Sequence, residues 1–390
     1  MGDDAGAQDS WAQASPGAAT TGGGQGEGFP APWPDVEEHP PSRWTPVVLL
    51  ATPVVIVLSA VLALVGVPYV VLEPGPVRDT LGGHDGRPLI TVQGSSTYPT
   101  TGELDLTTVS IQGGPGRRLS LFTALEGWLR GDWAVYPEEA VFPKGQTAQQ
   151  AKEESQTEMA DSQSSAKAAA LRELGLDVPM RYVISSFVEG SPAQGPLEVG
   201  DVVLSVDGRP ADSAAAIRDQ VRTHRPGDAS SPVRLRVRRG GRERDVTVVP
   251  AAGEDGAAAL RVMLGEQYDF PFTVDIRIDD IGGPSAGTMF ALGIIDKLTP
   301  GAMTGGRRIA GTGTIDGNGV VGPIGGIRQK VIGARRHGAE VFLAPADNCA
   351  DLTGHVPDGL TVYRVSTLHE ARTVVEAVGA RRGVSAPRCG

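Results

Sequence analysis

From Trp44 to Leu72 the chain carries no charged residue. A bilayer core takes about 20 consecutive apolar helical residues, and this run is longer. Trp44 and Tyr69 stand near its two ends, where amphipathic rings favour the membrane interface. Pro46 and Pro53 fall near the start of the run and Pro68 marks its exit. The pattern predicts a single transmembrane helix over 44–72, with a buried core helix as the bland alternative. A cleaved signal peptide would carry its charged end at the N-terminus of the protein, which this run does not. Arg43 lies before the span and Arg78 and Arg87 after it, so the positive-inside rule leaves the orientation open. With one span, everything from residue 73 lies on one side of the membrane.

Short apolar–polar alternations follow, such as Leu89–Gln93 and Leu106–Ile111, and read as strands. Residues 146–174 lose Gly and Pro and gain Gln, Glu, Lys and Ala, which predicts a helix with a mostly polar surface. Together, 73–175 read as a strand-rich region with a helical spacer. Between 176 and 252 the pattern is strand (Tyr182–Val188), turn, strand to Val206, and an Asp207-Gly208 hairpin signal. A helix over Ala211–His224 and two alternating strands, Val233–Val237 and Arg244–Val249, complete that unit. From 255 to 380 the order is strand (Phe272–Ile278), Gly-rich turn, helix (Ser285–Leu298), Gly-rich stretch, helix (Ile327–His337), strand (Val341–Ala344) and a last helix near Thr367–Val378. The whole reads as an α+β multidomain chain with a flexible C-terminus over 381–390.

Composition narrows the function. The chain has 390 residues, 53 of them Gly and 30 Pro, and a net charge of -11. That balance argues against nucleic acid as the main partner, because phosphate binding needs clustered Lys and Arg. Residues 1–43 are rich in Gly, Ala, Pro and acid and nearly devoid of Ile, Leu and Val, which predicts a disordered tail. The two cysteines, Cys349 and Cys389, stand in no metal-ligand spacing; they pair or stay free according to compartment. No HExxH pattern is present, so neither a metal nor another cofactor is expected. Lysine is scarce: Lys144, Lys152, Lys167, Lys297 and Lys330. Arginine keeps its proton in proteins, so amine-based acid–base chemistry has only these five to draw on.

The run EGSPAQGPLEVGDVVLSVDGRP in the middle unit resembles the PDZ domains of bacterial envelope proteases. The resemblance implies a peptide ligand that adds as a strand between a sheet edge and a helix, here 211–224. The alternative is a small α+β domain without a ligand.

Candidate chemistry lies in Gly282-Gly-Pro-Ser-Ala-Gly287. Pro284 suits the first helical position, and that would put Ser285 in the first turn. Free N–H groups and the positive end of the helix dipole gather there, so Gly283, Pro284, Ser285 and Ala286 are the expected surroundings of an oxyanion. A serine hydroxyl needs a base. His337, His355 and His369 are candidates, as are Lys297 and Lys330. Lys297 stands about 18 Å along the same predicted helix and cannot reach. Lys330 opens the next helix after a Gly-rich turn and can fold back; burial would let its amine lose its charge and accept the serine proton.

The segments GGPSAGTMFALGIIDKL and IAGTGTIDGNGVVGPIGGIRQKVIGARRHGAEVFLAP are similar to the proteolytic domain of Lon proteases. The resemblance implies Ser285 as nucleophile, Lys330 of Gly-Gly-x3-Lys as base, and Thr312 beside the lysine. It departs in two places. Lon carries an Asp three residues before the nucleophile, where this chain has Gly282; Asp279 or Asp280 is a candidate substitute. Lon also carries an ATPase, and no Gly-Lys pair of a phosphate-binding loop exists here, so ATP is not an expected partner. Membrane span, PDZ unit and Lon-like domain in this order resemble the membrane-anchored PDZ–Lon-like proteins of Gram-positive bacteria. That implies a single-pass cell-membrane protein with its PDZ and protease domains outside the cytoplasm. Lon rings further suggest a homo-oligomer.

Two local motifs compete. Gly283-Pro-Ser-Ala-Gly287 fits the nucleophile elbow of α/β hydrolases, with Asp316 or Asp347 and His355 or His369 to complete a triad. Gly317-Asn-Gly-Val-Val-Gly322 fits a dinucleotide fingerprint, with Glu340 further on. A non-enzymatic alternative keeps the fold with an inert dyad, as a PDZ scaffold for exported peptides. Intact Ser285 and Lys330 speak against it.

Overall fold

The computed structural model describes residues 45–84, 86–278 and 281–390. The expected disordered tail over 1–43, and Asp279 and Asp280, lie outside them. Two compact units divide the chain, Met1–Val57 and Leu58–Gly390. Described parts of the first unit are helical and continue a helix, α1, that runs Thr45–Leu64. Among the described residues no helix is long and apolar enough to cross a membrane.

Within the second unit the helices are α2 (Leu121–Leu129), α3 (Glu138–Val141), α4 (Ala148–Glu173), α5 (Ala214–Arg222), α6 (Gly287–Leu298), α7 (Ile327–Arg336) and α8 (Leu368–Gly379). The main strands are β1 (Tyr69–Asp79), β2 (Glu103–Gln112), β3 (Ala134–Pro137), β4 (Met180–Phe187), β5 (Val202–Val206), β6 (Val233–Arg239), β7 (Arg242–Val248), β8 (Val262–Tyr268), β9 (Arg308–Gly311), β10 (Val341–Pro345) and β11 (Thr361–Val365). They form two sheets, ordered β11-β10-β9-β2-β1-β3 and β7-β6-β5-β4-β8. The result is a mixed α/β multidomain body.

Among its described residues the apolar run therefore breaks into α1, a two-residue strand at Gly66–Val67 and the start of β1. Its last residues are a core strand: Val70 and Val71 are fully buried and pair with Tyr136 and Val135 of β3. The sequence showed one run because nothing charged separates the helix from that strand. The 73–175 region is likewise continuous with the C-terminal domain. β2 runs parallel to β9, with Leu104 opposite Ile309 and Leu106 opposite Gly311. That pairing joins positions some two hundred residues apart, and local periodicity carries no sign of it. The small PDZ-like sheet is thus an insertion between α4 and α6. It ends at β8, beyond the expected boundary at 252, because β8 completes the sheet by pairing with β4 from Val262 to Tyr268.

Helices cover both faces of the larger sheet. Ile309, Leu343, Leu104 and Leu106 pack with α6 and α8, and Ala310, Phe342, Ala344 and Val362 pack with α7. Every residue of α6 from Gly287 to Asp296 is buried, which its even spread of apolar residues demands. α4 is no spacer. Met159, Ala166, Ala169 and Ala170 join the same core as Phe290 and Ile294 of α6. A capping box at Thr147 and Gln150 starts α4.

The C-terminal residues are also held. Cys389 is buried and disulfide-bonded to Cys349, and its N–H donates to the Val362 carbonyl. The bridge closes a separation of 40 residues. Reduction should lower the unfolding free energy by about 4 kcal/mol, measured by urea unfolding with and without a phosphine reductant. At the end of α8, a Cβ on Gly379 would lie 2.2 Å from the Met303 carbonyl oxygen and 2.7 Å from the Thr304 carbonyl carbon. Backbone cannot retreat cheaply, so Gly379→Ala should destabilise by about 3 kcal/mol in the same assay.

Candidate active site

Ser285 stands just before α6, whose first helical residue is Gly287 and whose N-cap is Ala286. Pro284 is thus outside the helix rather than its first residue. A turn at Gly283, with φ +82, swings the chain there, and α4 fixes it. The Gly283 N–H donates to the Ser155 carbonyl at 2.9 Å, and the buried Ser162 hydroxyl donates to the Pro284 carbonyl at 2.9 Å. Gly282 passes so close to α4 that a Cβ there would lie 2.1 Å from Ser155 Oγ. The position where Lon carries its Asp is therefore filled from the other side by Ser155.

On the far side of the nucleophile loop, the Ser285 carbonyl accepts from the Gly313 N–H at 2.9 Å and from the Thr312 hydroxyl at 2.9 Å. α7 brings Lys330 to the same point. Its Nζ lies 2.8 Å from Ser285 Oγ and 3.0 Å from Thr312 Oγ1. Asn348 braces the preceding turn, accepting from the Ile324 N–H and donating to the Ile324 carbonyl. Lys330 is only 2% exposed, and burial pushes its amine down from 10.5 to about 7. An amine with that value is substantially uncharged at neutral pH.

The hydrogen bonds also set its orientation. The single proton of the Thr312 hydroxyl goes to the Ser285 carbonyl, so Thr312 Oγ1 accepts from Lys330. With one N–H so engaged, the neutral amine can turn its lone pair to the Ser285 hydroxyl. Of the four residues expected around an oxyanion, two keep a free donor. Gly283 N–H is engaged with Ser155, Pro284 has none, and the N–H groups of Ser285 and Ala286 meet no acceptor among the described residues. Both lie at the positive end of α6.

Ser285 and Lys330 open into a cavity of about 880 Å³. Its walls are Thr108–Ile111 of β2, Tyr136 of β3, Ala140 and Val141 of α3, and the turns at 281–285 and 323–326. That volume suits an extended segment of a polypeptide.

The other candidates fall elsewhere. Lys297 donates to the Leu81 carbonyl at 3.3 Å. His369 pairs with Glu173, and His337 caps α7. No histidine hydrogen-bonds the Ser285 hydroxyl among the described residues; its side-chain partner is Lys330, so none of the hydrolase triads forms. Gly317–Gly322 lies in the turn of a hairpin between Thr314–Ile315 and Val321–Gly322, with Asp316 accepting from the Asn318 and Val320 N–H groups, so no helix opens there for a dinucleotide. Glu103, Asp105 and His337 each bring a possible ligand atom within 4.8 Å of the others. Arg308 stands beside them, clasping Glu103 and lying 3.8 Å from Asp105, whose buried oxygens make no hydrogen bond among the described residues.

Residues 280–377 match the profile of the Lon protease (S16) C-terminal proteolytic domain. The chain carries a Lon-type proteolytic domain. Residues 155–249 match a PDZ domain. Over 92 residues the chain is 45% identical to Lon protease 1 of Sorangium cellulosum, covering 23% of this chain and 11% of that protein. Over 108 residues it is 37% identical to Lon protease 1 of Bacillus subtilis, covering 27% of this chain and 14% of that one. The chain thus spans only about a tenth to a seventh of these relatives' length. Among solved structures, the PDZ domain of the SdrC-like protein from Listeria innocua is 21% identical, with 22% of this chain and 92% of that chain covered and a TM-score of 0.20. The matched Lon-type segment begins after β1, β2 and α4, so a large part of the cavity wall lies outside it.

The PDZ unit has its own groove of about 540 Å³ between α5 and residues 258–264. Ile217 and Val221 of α5 face Leu260, Val262 and Leu264 across it, and β8 is the edge strand. Sequence reading missed that edge, because Val262–Tyr268 follows the recognisable motif by many residues. It also missed Ser155 and Ser162. Their signal was a stripe at helical spacing, small but for one methionine: Ser155, Met159, Ser162, Ala166 and Ala170.

Proposed function

We propose that the chain is a membrane-anchored serine endopeptidase that needs no ATP. The observation that carries this is the buried Lys330 amine, 2.8 Å from Ser285 Oγ and 3.0 Å from Thr312 Oγ1, at the edge of a polypeptide-sized cavity. Ser285 Oγ attacks the scissile carbonyl while Lys330 takes its proton. The oxyanion of the tetrahedral intermediate is held by the N–H groups of Ser285 and Ala286. Lys330 returns the proton to the leaving amine as the peptide C–N bond breaks and an ester to Ser285 remains. Water, deprotonated by Lys330, then releases the second product. Thr312 acts as the positioning residue for the amine.

The PDZ groove takes a peptide as an added strand on β8, from substrate or from a regulator. The uncharged apolar segment Thr45–Leu64, which is helical, supports a single-pass anchor. The Cys349–Cys389 disulfide supports an oxidising, extracytoplasmic setting for the PDZ and protease domains. Lon rings motivate a homo-oligomer as well.

The test is hydrolysis of casein and a peptide library by the full chain in detergent, with no nucleotide present. Cleavage that adding ATP leaves unchanged is expected. No cleavage in detergent or lipid, with or without peptide ligands for the PDZ groove, would favour an inert scaffold instead.

A further inference from the structure

α2 carries its apolar side outward. Phe122, Leu125, Trp128 and Leu129 are 58%, 38%, 57% and 88% exposed, while Ala124 and Gly127 face the body and are buried. At a helical advance of 3.6 residues per turn these four side chains share an arc of about 120°. The helix is firmly built: the Ser120 hydroxyl caps it by accepting from the Thr123 N–H. Its apolar face is therefore a fixed surface and not a frayed end.

What covers this face is indicated by its neighbours. The Leu121 N–H donates to the Val65 carbonyl at 3.0 Å, and Gly66 and Val67 pair with Ser120 and Leu119. α2 thus begins beside the point where the chain leaves α1. Exposed Arg117 and Arg118 precede α2 and make no ion pair among the described residues. Arg130 follows it. The nearby acids are already matched, Glu126 by Arg130 and Asp132 by Arg130 and Arg336. The face is rimmed by aromatic rings too: Trp128 meets Tyr69 edge-on at 5.8 Å, and Arg130 lies over Trp133 at 4.4 Å. Apolar residues on one side, aromatic rings at the margin and uncompensated arginines beside them suit anionic lipid headgroups over an acyl boundary. A second copy of the chain is a poorer fit, since a stable dimer buries roughly 800 Å² per partner and one nine-residue helix face offers far less.

We propose that α2 lies in the membrane–water interface and clamps the protease body to the lipid surface. The proposal extends the anchoring read above but does not need α1 to span the bilayer. β3 follows α2 directly, and its Tyr136 is part of the cavity wall. A docked α2 therefore keeps the nucleophile within reach of chains emerging at the lipid surface, which become the favoured substrate class.

The test uses the full chain reconstituted into vesicles of phosphatidylcholine and phosphatidylglycerol. A polarity-sensitive fluorophore is attached through Leu129→Cys, and through Arg242→Cys on the PDZ hairpin as the control; the native cysteines are bonded and stay unlabelled. The label at 129 is expected to shift to the blue and to be quenched at least about twofold by lipids with brominated acyl chains. The label at 242 should show neither change. Arg117→Glu with Arg118→Glu should reduce the quenching at 129. A label at 129 that stays water-like while the chain resists carbonate extraction would overturn this inference and leave the anchor standing. A blue shift without bromine quenching would also overturn it, in favour of a protein partner. Quenching at 129 in a chain that carbonate removes would uphold it while removing the spanning anchor.

Discussion

Lys330→Arg should abolish peptide hydrolysis as completely as Ser285→Ala, with kcat/KM falling by on the order of 10⁴-fold or more in each. Arginine keeps the positive charge but cannot give up its proton to become a base. Loss in Lys330→Arg therefore separates proton acceptance from charge. In the wild type, the lysine must be neutral to act, and burial sets its amine at about 7. The rate should rise with pH through a limb centred near that value. The same burial has a stability consequence of definite sign. Between about 7 and the ordinary 10.5 the unfolded chain binds one more proton than the folded one. Stability therefore increases with pH across that window. Lys330→Met should lose this slope and be the more stable protein at pH 7, as followed by urea unfolding at several pH values.

Gly282→Ala should lower kcat by between about 10- and 100-fold, although the alanine touches neither Ser285 nor Lys330. Its methyl group would sit 2.1 Å from Ser155 Oγ and 3.2 Å from Ser155 Cβ, so rotating the hydroxyl away is not enough. The loop that holds Ser285 must move, and Gly283 N–H would pull away from the Ser155 carbonyl. Ser155→Gly removes both close atoms and leaves the Ser155 carbonyl oxygen at an ordinary 3.4 Å. The double variant Gly282→Ala with Ser155→Gly should recover most of the lost kcat, beyond a helix penalty of about 0.5 kcal/mol for the glycine. Equal activity in wild type and Gly282→Ala would show that α4 does not set the nucleophile loop. A loss that Ser155→Gly leaves untouched would point to backbone strain at 282 instead.

How much of this was legible follows from the range over which each feature is encoded. Ser285 and Lys330 stood out because a Gly-rich serine turn and a scarce lysine each occupy a short, distinctive stretch; Thr312 came only through the Lon resemblance. The PDZ unit showed for the same reason, through its turn-rich motif. α4 did not. Apart from Leu171, its buried side is built from Ser, Ala and Met, so the stripe they form stood out little against its polar remainder. The β2–β9 pairing was equally hidden, since each strand is unremarkable alone and the PDZ insertion lies between them. The run before Glu73 misled in the opposite way, because an apolar helix and a buried strand read as one stretch when no charge divides them.

The central claim is that a covalent intermediate forms on Ser285 with Lys330 as its base. Intact-mass and peptide-mapping mass spectrometry of the full chain, quenched in acid during turnover of an activated peptide ester, tests it most directly. An acyl group on the peptide that contains Ser285, absent from Lys330→Arg, is the predicted result. An acyl group on any other residue, or steady turnover with Ser285 never modified, would contradict it.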